Sequence, residues 1–438
     1  MSPKTHLSFG SLIHGFQHRV KGIPDPRQAA KISYRLWDLV GSGLACMFFQ
    51  DRSLLQFQKR LEDAEQRSNL QTLFGIKEIP EETQLREGVD GLPSEEFAAV
   101  FTEFFQRLQR GKQLERYQFL DGKYLISMDG TQYFTSKNIS CEHCLTATHG
   151  AAVTYSHKVL QGALMHPDIR QVIPLMAEDI RNEDGKTKQD CEMNAGKRFL
   201  GRTRNAHPQL SIIVVGDGLF SKQPLIEEVL RQRMSFIFVA KPTDHQPMRA
   251  YLEEVPALNE LRIQGEKGTT LVYRWLNDVP LNAREDALRV NYFEVQILAP
   301  GKDGQLKVNY QNSWVTDISL SRHNIEHMVR GGRCRWKLEN ECFNTLKNQG
   351  YHLEHNYGHG TQYLSFNFYL LTLLAFFMPQ VAELTDRLFQ ACRTKFGSKL
   401  HLWETLRSYI KILLFQSWEH LLDFARRPKY YHVTAQAP

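Results

Sequence analysis

Residues 210–218 read Leu-Ser-Ile-Ile-Val-Val-Gly-Asp-Gly, and this stretch decides the class of fold. A continuous apolar run rich in β-branched residues is typical of a strand that is buried on both faces of a sheet. The run ends at Asp217-Gly218, a dipeptide that marks turns. The sequence therefore predicts a central strand with an acidic residue at its carboxyl end, where binding sites form in open α/β sheets.

The segments on either side alternate between strand and helix patterns. Residues 124–128 and 132–135 are predicted to pair as a hairpin that turns at Asp129-Gly130. The other predicted elements are a strand at 151–165, a helix at 190–200 with Asp190 as its N-cap, a helix at 222–232 and a strand at 235–240. An antiparallel start followed by alternating strands and helices predicts an α/β fold with a mixed sheet.

Other regions flank this core. Helical patterns include an amphipathic run at 28–61 and a Phe-rich helix at 94–110. Short strand patterns at 243–318 predict a β-rich module, which we expect to pack beside the core sheet and not within it. A helix is predicted over 325–347. The expected regions are helical at 1–120, core at 121–242, β-rich insertion at 243–318, core again at 319–380 and helical at 381–438.

Composition excludes several classes of protein. The chain has 438 residues, with 54 Lys and Arg against 48 Asp and Glu, and 42% of its residues are hydrophobic, so it is not mainly disordered or of low complexity. Seven cysteines and a start without a basic-then-apolar leader indicate a reduced, cytoplasmic setting without a disulfide framework. The longest apolar stretch, 364–378, is shorter than the ~20 residues that span a membrane. A buried core helix, and no membrane partner, is predicted there.

Three acidic residues carry the chemical hypothesis. Asp129 and Asp217 each follow an apolar strand pattern and precede a glycine, and two carboxylates at strand ends suit Mg²⁺, although each could be a turn residue only. On a regular helix, Glu339 falls on the same side as Trp336 and Phe343, where a carboxylate needs a metal or an Arg partner. The alternatives are a surface pair of Glu339 with Arg335, and Glu341 as the third acid.

Together, Asp129-Gly130-Thr131, Val215-Gly216-Asp217-Gly218 and Arg335-Trp336-Lys337-Leu338-Glu339 resemble the DDE triad of bacterial insertion-sequence transposases. The closest group is the family-four type with its Tyr-Arg-Glu-Lys signature. The resemblance covers roughly 120–350. It implies an α/β, RNase H-like mixed-sheet catalytic core with a β-rich insertion and flanking helical regions.

The same resemblance implies functional roles. Asp129, Asp217 and Glu339 would be the catalytic metal ligands for two Mg²⁺ or Mn²⁺ ions, in an enzyme that cleaves element ends and transfers the strands into target DNA. Arg335 would be the signature Arg and Lys347 the signature Lys. Lys347 lies one position later than the pattern, and Gly332 stands where the signature Tyr falls.

The implied partner is double-stranded DNA, bound by a homodimer that associates with the bacterial nucleoid. Residues 321–350 hold six Lys or Arg against three Glu, which agrees with phosphate contacts. Trp314 would stack on a displaced base or, alternatively, anchor the insertion to the core. His355, in a run with His352 and His359, would contact DNA or belong to a surface cluster. The remaining candidate DNA contacts are Arg333, Arg335 and Lys347 near the third acid, and Arg19, Lys21, Lys31 and Arg35 for end recognition.

One further motif is a C-x-x-C at Cys141 and Cys144, with His149, His157 and Cys191 nearby in the sequence. A structural zinc needs four ligands, so a single C-x-x-C leaves zinc and ordinary reduced thiols both open. The competing functions are a metal-dependent nuclease of the same fold, a non-catalytic DNA-binding relative and a zinc-binding regulator. Inverted repeats that flank the reading frame would favour the transposase.

Overall fold

The computed structural model describes residues 5–25, 27, 32–51, 53–61, 64–150, 152–181, 190–301 and 305–428, without the side chains of Thr5, 59–61, 64–68 and His149. Lys31, a predicted DNA contact, lies outside the described residues. The chain forms two compact units. We call Met1–Leu114, Gln132–His157 and Phe343–Pro438 the helical unit, and Glu115–Thr131 with Lys158–Cys342 the sheet unit.

The elements follow one another in chain order. The helices are α1 Phe9–Lys21, α2 Leu36–Phe48, α3 Leu54–Leu61, α4 Ala64–Phe74, α5 Glu82–Asp90, α6 Ala98–Arg110, α7 Glu192–Ala206, α8 Gln223–Arg231, α9 Gln246–Glu254, α10 Ile325–Arg333, α11 Asn344–Asn348, α12 Leu364–Thr385, α13 Arg387–Phe396, α14 Lys399–Ile412 and α15 Trp418–Arg426. A π-helical turn, Leu338–Phe343, precedes α11. The strands are β1 Tyr124–Ser136, β2 Leu145–His149, β3 Ala152–His166, β4 Ile169–Pro174, β5 Glu178–Ile180, β6 Ile212–Gly216, β7 Ser235–Val239, β8 Asn259–Gln264, β9 Thr270–Pro280, β10 Arg289–Pro300 and β11 Leu306–Thr316.

The helical unit joins regions that the sequence analysis separated. Helix α2 from the N-terminal region packs on α12 from the C-terminal half. Asn367 of α12 is buried and donates hydrogen bonds to the carbonyls of Val89 and Leu92 at 2.8 and 2.7 Å. Because these bonds satisfy a buried amide, they link the two chain segments without leaving an unpaired polar group.

Helix α12 contains the long apolar stretch. It has 22 residues, not the 15 of the stretch itself, and so it is long and apolar enough to cross a membrane by length and composition. Its most apolar window is 94% buried inside the protein, as in a core helix. The expectation of a buried helix is therefore confirmed, whereas the argument from short length was wrong.

The sheet unit contains a mixed sheet in the order β3-β1-β6-β7-β11-β10-β9-β8, with β4 and β5 pairing with β3. Strand β6 pairs in parallel with both β1 and β7, and all of its residues are buried. Helix α7 precedes β6, and α8 connects β6 to β7. The predicted α/β class with a mixed sheet and a central strand at 212–216 is confirmed.

The position of the insertion differs from the prediction. Residues 243–318 are β-rich, as expected, but β11 pairs antiparallel with β7 through Trp314 to Thr316, so the module continues the core sheet. The last strand of the module, β11, is a single strand of 11 residues, Leu306–Thr316. The physical reason is that β7 would otherwise present an open edge of unpaired backbone groups, which a neighbouring strand satisfies.

Local predictions also failed at three places. Asp129-Gly130 does not turn a hairpin, because β1 continues through it to Ser136. Cys191, not Asp190, is the N-cap of α7, and the Asp190 carboxylate accepts a hydrogen bond from Arg198 at 2.7 Å. The helix predicted over 325–347 is interrupted by a turn at 334–335 and by the π-helical turn.

Candidate active site

Two of the predicted acids come close together at the carboxyl end of β6. The paired register of β1 and β6 ends at Ser127 and Val215. Asp129 lies two residues further along β1, and Asp217 directly follows the end of β6. The charge of Asp217 helps to raise the pKa of Asp129, so the two carboxylates lie near each other.

The third acid joins them through an arginine. Arg335 Nη1 donates to Asp129 Oδ2 at 2.9 Å and to Glu339 Oε1 at 2.6 Å. The Arg335 side chain is only 11% exposed, against 34% for Glu339. The pair of Arg335 with Glu339 that the sequence left open does form, but it is not a surface pair, because the same guanidinium also binds Asp129.

The local backbone explains how Glu339 reaches this position. Glu339 lies in the π-helical turn, where the 3.6-residue period of a regular helix no longer holds. Trp336, which precedes this turn, is exposed, whereas Phe343 is buried, so the two do not share the predicted buried side. Turns of this kind occur often at functional sites.

Burial and repulsion dominate the electrostatics of the acidic site. Burial raises the pKa of Asp129 to about 7, Arg335 opposes this shift, and the charges of Asp217, Glu339 and Glu192 raise the pKa further. Burial also raises the pKa of Glu192, with Lys158 opposing the shift and Asp217 adding to it. The site thus concentrates negative charge that the single guanidinium only partly compensates.

Glu192 is a fourth acid that the sequence did not assign to the triad. It begins α7, and its carboxyl carbon lies 2.3 Å from where a Cβ on Gly130 would be. Only glycine at position 130 leaves room for this approach. The sequence signal was an acidic residue at a helix start, which is common for reasons of helix stability alone.

The structure also separates Glu339 from its rival. The Glu341 carboxylate pairs with Arg170 at 3.2 Å. Glu339 shares Arg335 with Asp129, and the charge of Glu339 raises the pKa of Asp129. Glu339 is therefore the acid that joins the cluster.

Trp314 does not offer a stacking surface. Its side chain is fully buried, it stacks on Phe293 with ring centres 5.3 Å apart, and its Nε1 has no hydrogen-bond partner among the described residues. A Cβ on Gly332 would lie 2.6 Å from that Nε1. The alternative role as an anchor of the insertion is the one observed, and the indole fills the space that a side chain at position 332 would need.

We expect Trp314→Ala to destabilise the protein by about 3–5 kcal/mol, because it leaves a large cavity between β11 and α10. Trp314→Phe should lose less and should leave the affinity for single-stranded and double-stranded DNA unchanged. Thermal melts and binding titrations of both variants measure this. A loss of DNA affinity in Trp314→Phe at an unchanged melting temperature would restore the stacking role.

The basic candidates differ in their surroundings. Arg333 is exposed, with its guanidinium 4.9 Å from the centre of the Tyr310 ring. Lys347 pairs with Glu354 at 2.9 Å. His355 is exposed beside Tyr357, with ring centres 4.8 Å apart. Arg335 faces carboxylates instead of solvent, so it is not available to a phosphate in this state.

A separate group of metal-ligand side chains lies in the helical unit. The ligand atoms of Cys141, Cys144, His157 and His359 all lie within 4.8 Å of one another, and the group could hold a metal ion. Among the described residues, no three or more carboxylates bring their oxygen atoms close enough together to form a comparable group. Hydrogen bonds from Cys144, and then from His157 and His359, lower the pKa of the Cys141 thiol.

The sequence pattern predicted only some of these four side chains. Cys141 and Cys144 were recognised as a pair and His157 as a neighbour, but His359 was placed in a run with His352 and His355 that would contact DNA or form a surface cluster. His359 is 215 positions from Cys144, a separation that no spacing rule covers. Cys191 is exposed and outside the group, and the side chain of His149 lies outside the described residues.

No protein-family model matches this chain, and no curated protein matches it.

Proposed function

We propose that this protein is a DDE-type DNA transposase whose catalytic acids are Asp129, Asp217 and Glu339. The observation that carries the proposal is Arg335, which binds both Asp129 and Glu339, together with the charge of Asp217, which acts on Asp129 from the end of the neighbouring strand. The acids come from a central strand, the end of the next parallel strand and a helix after the insertion. That strand–strand–helix order is the one the resembling transposases have.

The acidic site offers the type of ligand that divalent metal ions take, because hard cations such as Mg²⁺ bind carboxylate oxygens. Burial raises the pKa of Asp129, and the charges of Asp217, Glu339 and Glu192 add to the shift; a cation would relieve that repulsion. Glu192 adds a fourth carboxylate nearby. Asp129, Asp217 and Glu339 would hold the ions, and Arg335 would then be released from the carboxylates it now neutralises.

The proposed chemistry is phosphodiester hydrolysis followed by transesterification. Asp129, Asp217 and Glu339 would hold the cations, which would supply charge stabilisation for the attacking and the leaving oxygen of an in-line displacement. The protein's own contribution is to orient the acids on a rigid sheet and to supply cations for the DNA phosphates. Arg335, once freed from Asp129 and Glu339, and the exposed Arg333 are the nearest candidates for phosphate contacts in the sheet unit.

The implied setting follows from the substrate. The partners would be the element ends and the target duplex, bound by a homodimer at the bacterial nucleoid. An RNase H-like core is proposed on the mixed sheet, in which an antiparallel β3-β4 pair adjoins parallel β1, β6 and β7.

The test uses the purified full chain and a linear duplex that carries the inverted repeats flanking its reading frame. We expect cleavage at the repeat end with Mg²⁺ or Mn²⁺, followed by joining of the 3′ end to a second duplex. A scrambled repeat is the control. Cleavage of both duplexes without joining would identify a plain nuclease, and the lack of cleavage and of specific binding would overturn the proposal.

A further inference from the structure

We propose that Cys141, Cys144, His157 and His359 form a structural zinc site that connects two separate chain segments of the helical unit. Their mutual distances are those of ligands around one ion. The two Sγ atoms are 3.6 Å apart, and His157 Nε2 lies 3.3 Å from Cys141 Sγ and 3.4 Å from Cys144 Sγ. The fourth ligand atom, His359 Nδ1, is 3.8 Å from Cys144 Sγ.

These distances agree with a tetrahedral zinc centre. Zn–S bonds of ~2.3 Å and Zn–N bonds of ~2.0–2.1 Å imply ligand separations of roughly 3.8 Å for two sulfurs and roughly 3.6 Å for sulfur and nitrogen. The four separations given above lie within a few tenths of an ångström of these values, and all six are at most 4.8 Å. Four protein ligands leave no open position, which is the arrangement of structural and not catalytic zinc.

The chemistry of the ligands selects the metal. Thiolate and imidazole together favour zinc over Mg²⁺ or Ca²⁺, which prefer oxygen. A two-iron cluster with two Cys and two His ligands binds the thiolates and the imidazoles to different irons. Here Cys144 Sγ is near nitrogens of both imidazoles, as expected for ligands of a single ion.

The surroundings hold the ligands in place. Cys144 and His157 are buried. The Tyr133 ring stacks on His157 at 5.7 Å, and the Phe134 ring meets His359 edge-on at 4.3 Å. Side chains fixed by packing in this way pre-organise a metal site, because little rotamer entropy is lost on binding.

The proposed zinc site would connect two segments that lie far apart in the sequence. Three ligands belong to the segment Gln132–His157 and the fourth to Phe343–Pro438, two parts of the helical unit that the sequence separates by residues 158–342. A clip that closes a long chain loop removes much conformational freedom from the unfolded state. The zinc would therefore stabilise the segment that leads from α11 to α12, where His359 lies.

The experiment measures zinc in the purified full chain by elemental mass spectrometry. We expect about one zinc ion per wild-type chain and a nearly complete loss in Cys144→Ser and in His359→Gln. Cys392→Ser is the matched control, since Cys392 is also buried in the helical unit and its thiol only donates to the Leu422 carbonyl. Chelation should lower the melting temperature by several degrees, and added Zn²⁺, but not Mg²⁺, should restore it.

X-ray absorption of the wild-type protein is the measurement that does not depend on variant folding. We expect a first shell of two sulfurs and two nitrogens. Zinc that stays below stoichiometry after addition of Zn²⁺, a shell without sulfur, or full zinc retention by both ligand variants would overturn the site. The outcome is independent of DNA cleavage, so it stands or falls apart from the proposed function.

Discussion

Asp217→Asn is expected to reduce the rate of end cleavage and of strand transfer by at least about 10³-fold, since metal stabilisation of the reacting oxygens contributes several kcal/mol. The amide keeps the size of the side chain and the oxygen that accepts from the Leu219 backbone N–H at 2.9 Å. It removes the charge that would hold a cation beside Asp129. Gel assays of cleavage and joining with Mg²⁺ measure the effect.

DNA binding should survive this substitution. Affinity comes mainly from Lys and Arg contacts to phosphates, which Asp217→Asn leaves in place, and one negative charge near the DNA is lost. Binding in Ca²⁺ should therefore be unchanged or slightly tighter. A parallel loss of binding and cleavage would indicate a folding defect instead of a catalytic one.

Three further variants test the assignment of the catalytic acids. Asp121→Asn makes the same chemical change at a side chain that is 76% exposed, and it should cleave normally. Glu339→Gln and Glu341→Gln separate the two candidate third acids: only the former should lose cleavage. If Asp217→Asn retains metal-dependent cleavage, the role passes to Glu192, whose carboxylate is already in the cluster.

Asp129→Asn is expected to stabilise the metal-free protein. In the metal-free protein, burial and three neighbouring carboxylates disfavour the Asp129 charge, so a neutral amide of the same size removes a repulsive interaction. We expect a gain on the order of 1–3 kcal/mol in the free energy of unfolding at pH 8, together with loss of cleavage. Urea unfolding with a chelator present measures the stability.

The pH dependence identifies the cause. The pKa of Asp129 rises from 3.8 in the unfolded chain to about 7 in the folded protein, so the folded state holds the proton more tightly. This contribution to stability is fully present below pH 3.8 and is lost as the pH rises towards 7. The advantage of Asp129→Asn should therefore be small at pH 5, large at pH 8, and reduced at pH 8 by millimolar Mg²⁺. An advantage that does not change with pH would show that the raised pKa is not its source.

Much of the local structure was determined by the sequence alone. The run at 212–216 predicts a buried strand, because it is short, continuously apolar and rich in β-branched residues. The apolar residues of α6 and α8, and the α/β alternation, followed from the same kind of pattern. The three acids were identified by residue type and order along the chain, which the sequence states directly.

Tertiary structure decided the relations between distant residues. Strand pairing decides that Asp129 and Asp217 lie near each other, and only the fold brings Asp129 to the guanidinium that also binds Glu339. Tertiary structure also decided three other features: Trp336 is exposed, Trp314 is buried, and His359 lies beside Cys144. Local patterns report which face of one element is apolar, whereas strand pairing and side-chain clusters depend on contacts between elements far apart in the chain, and only the folded chain brings those together.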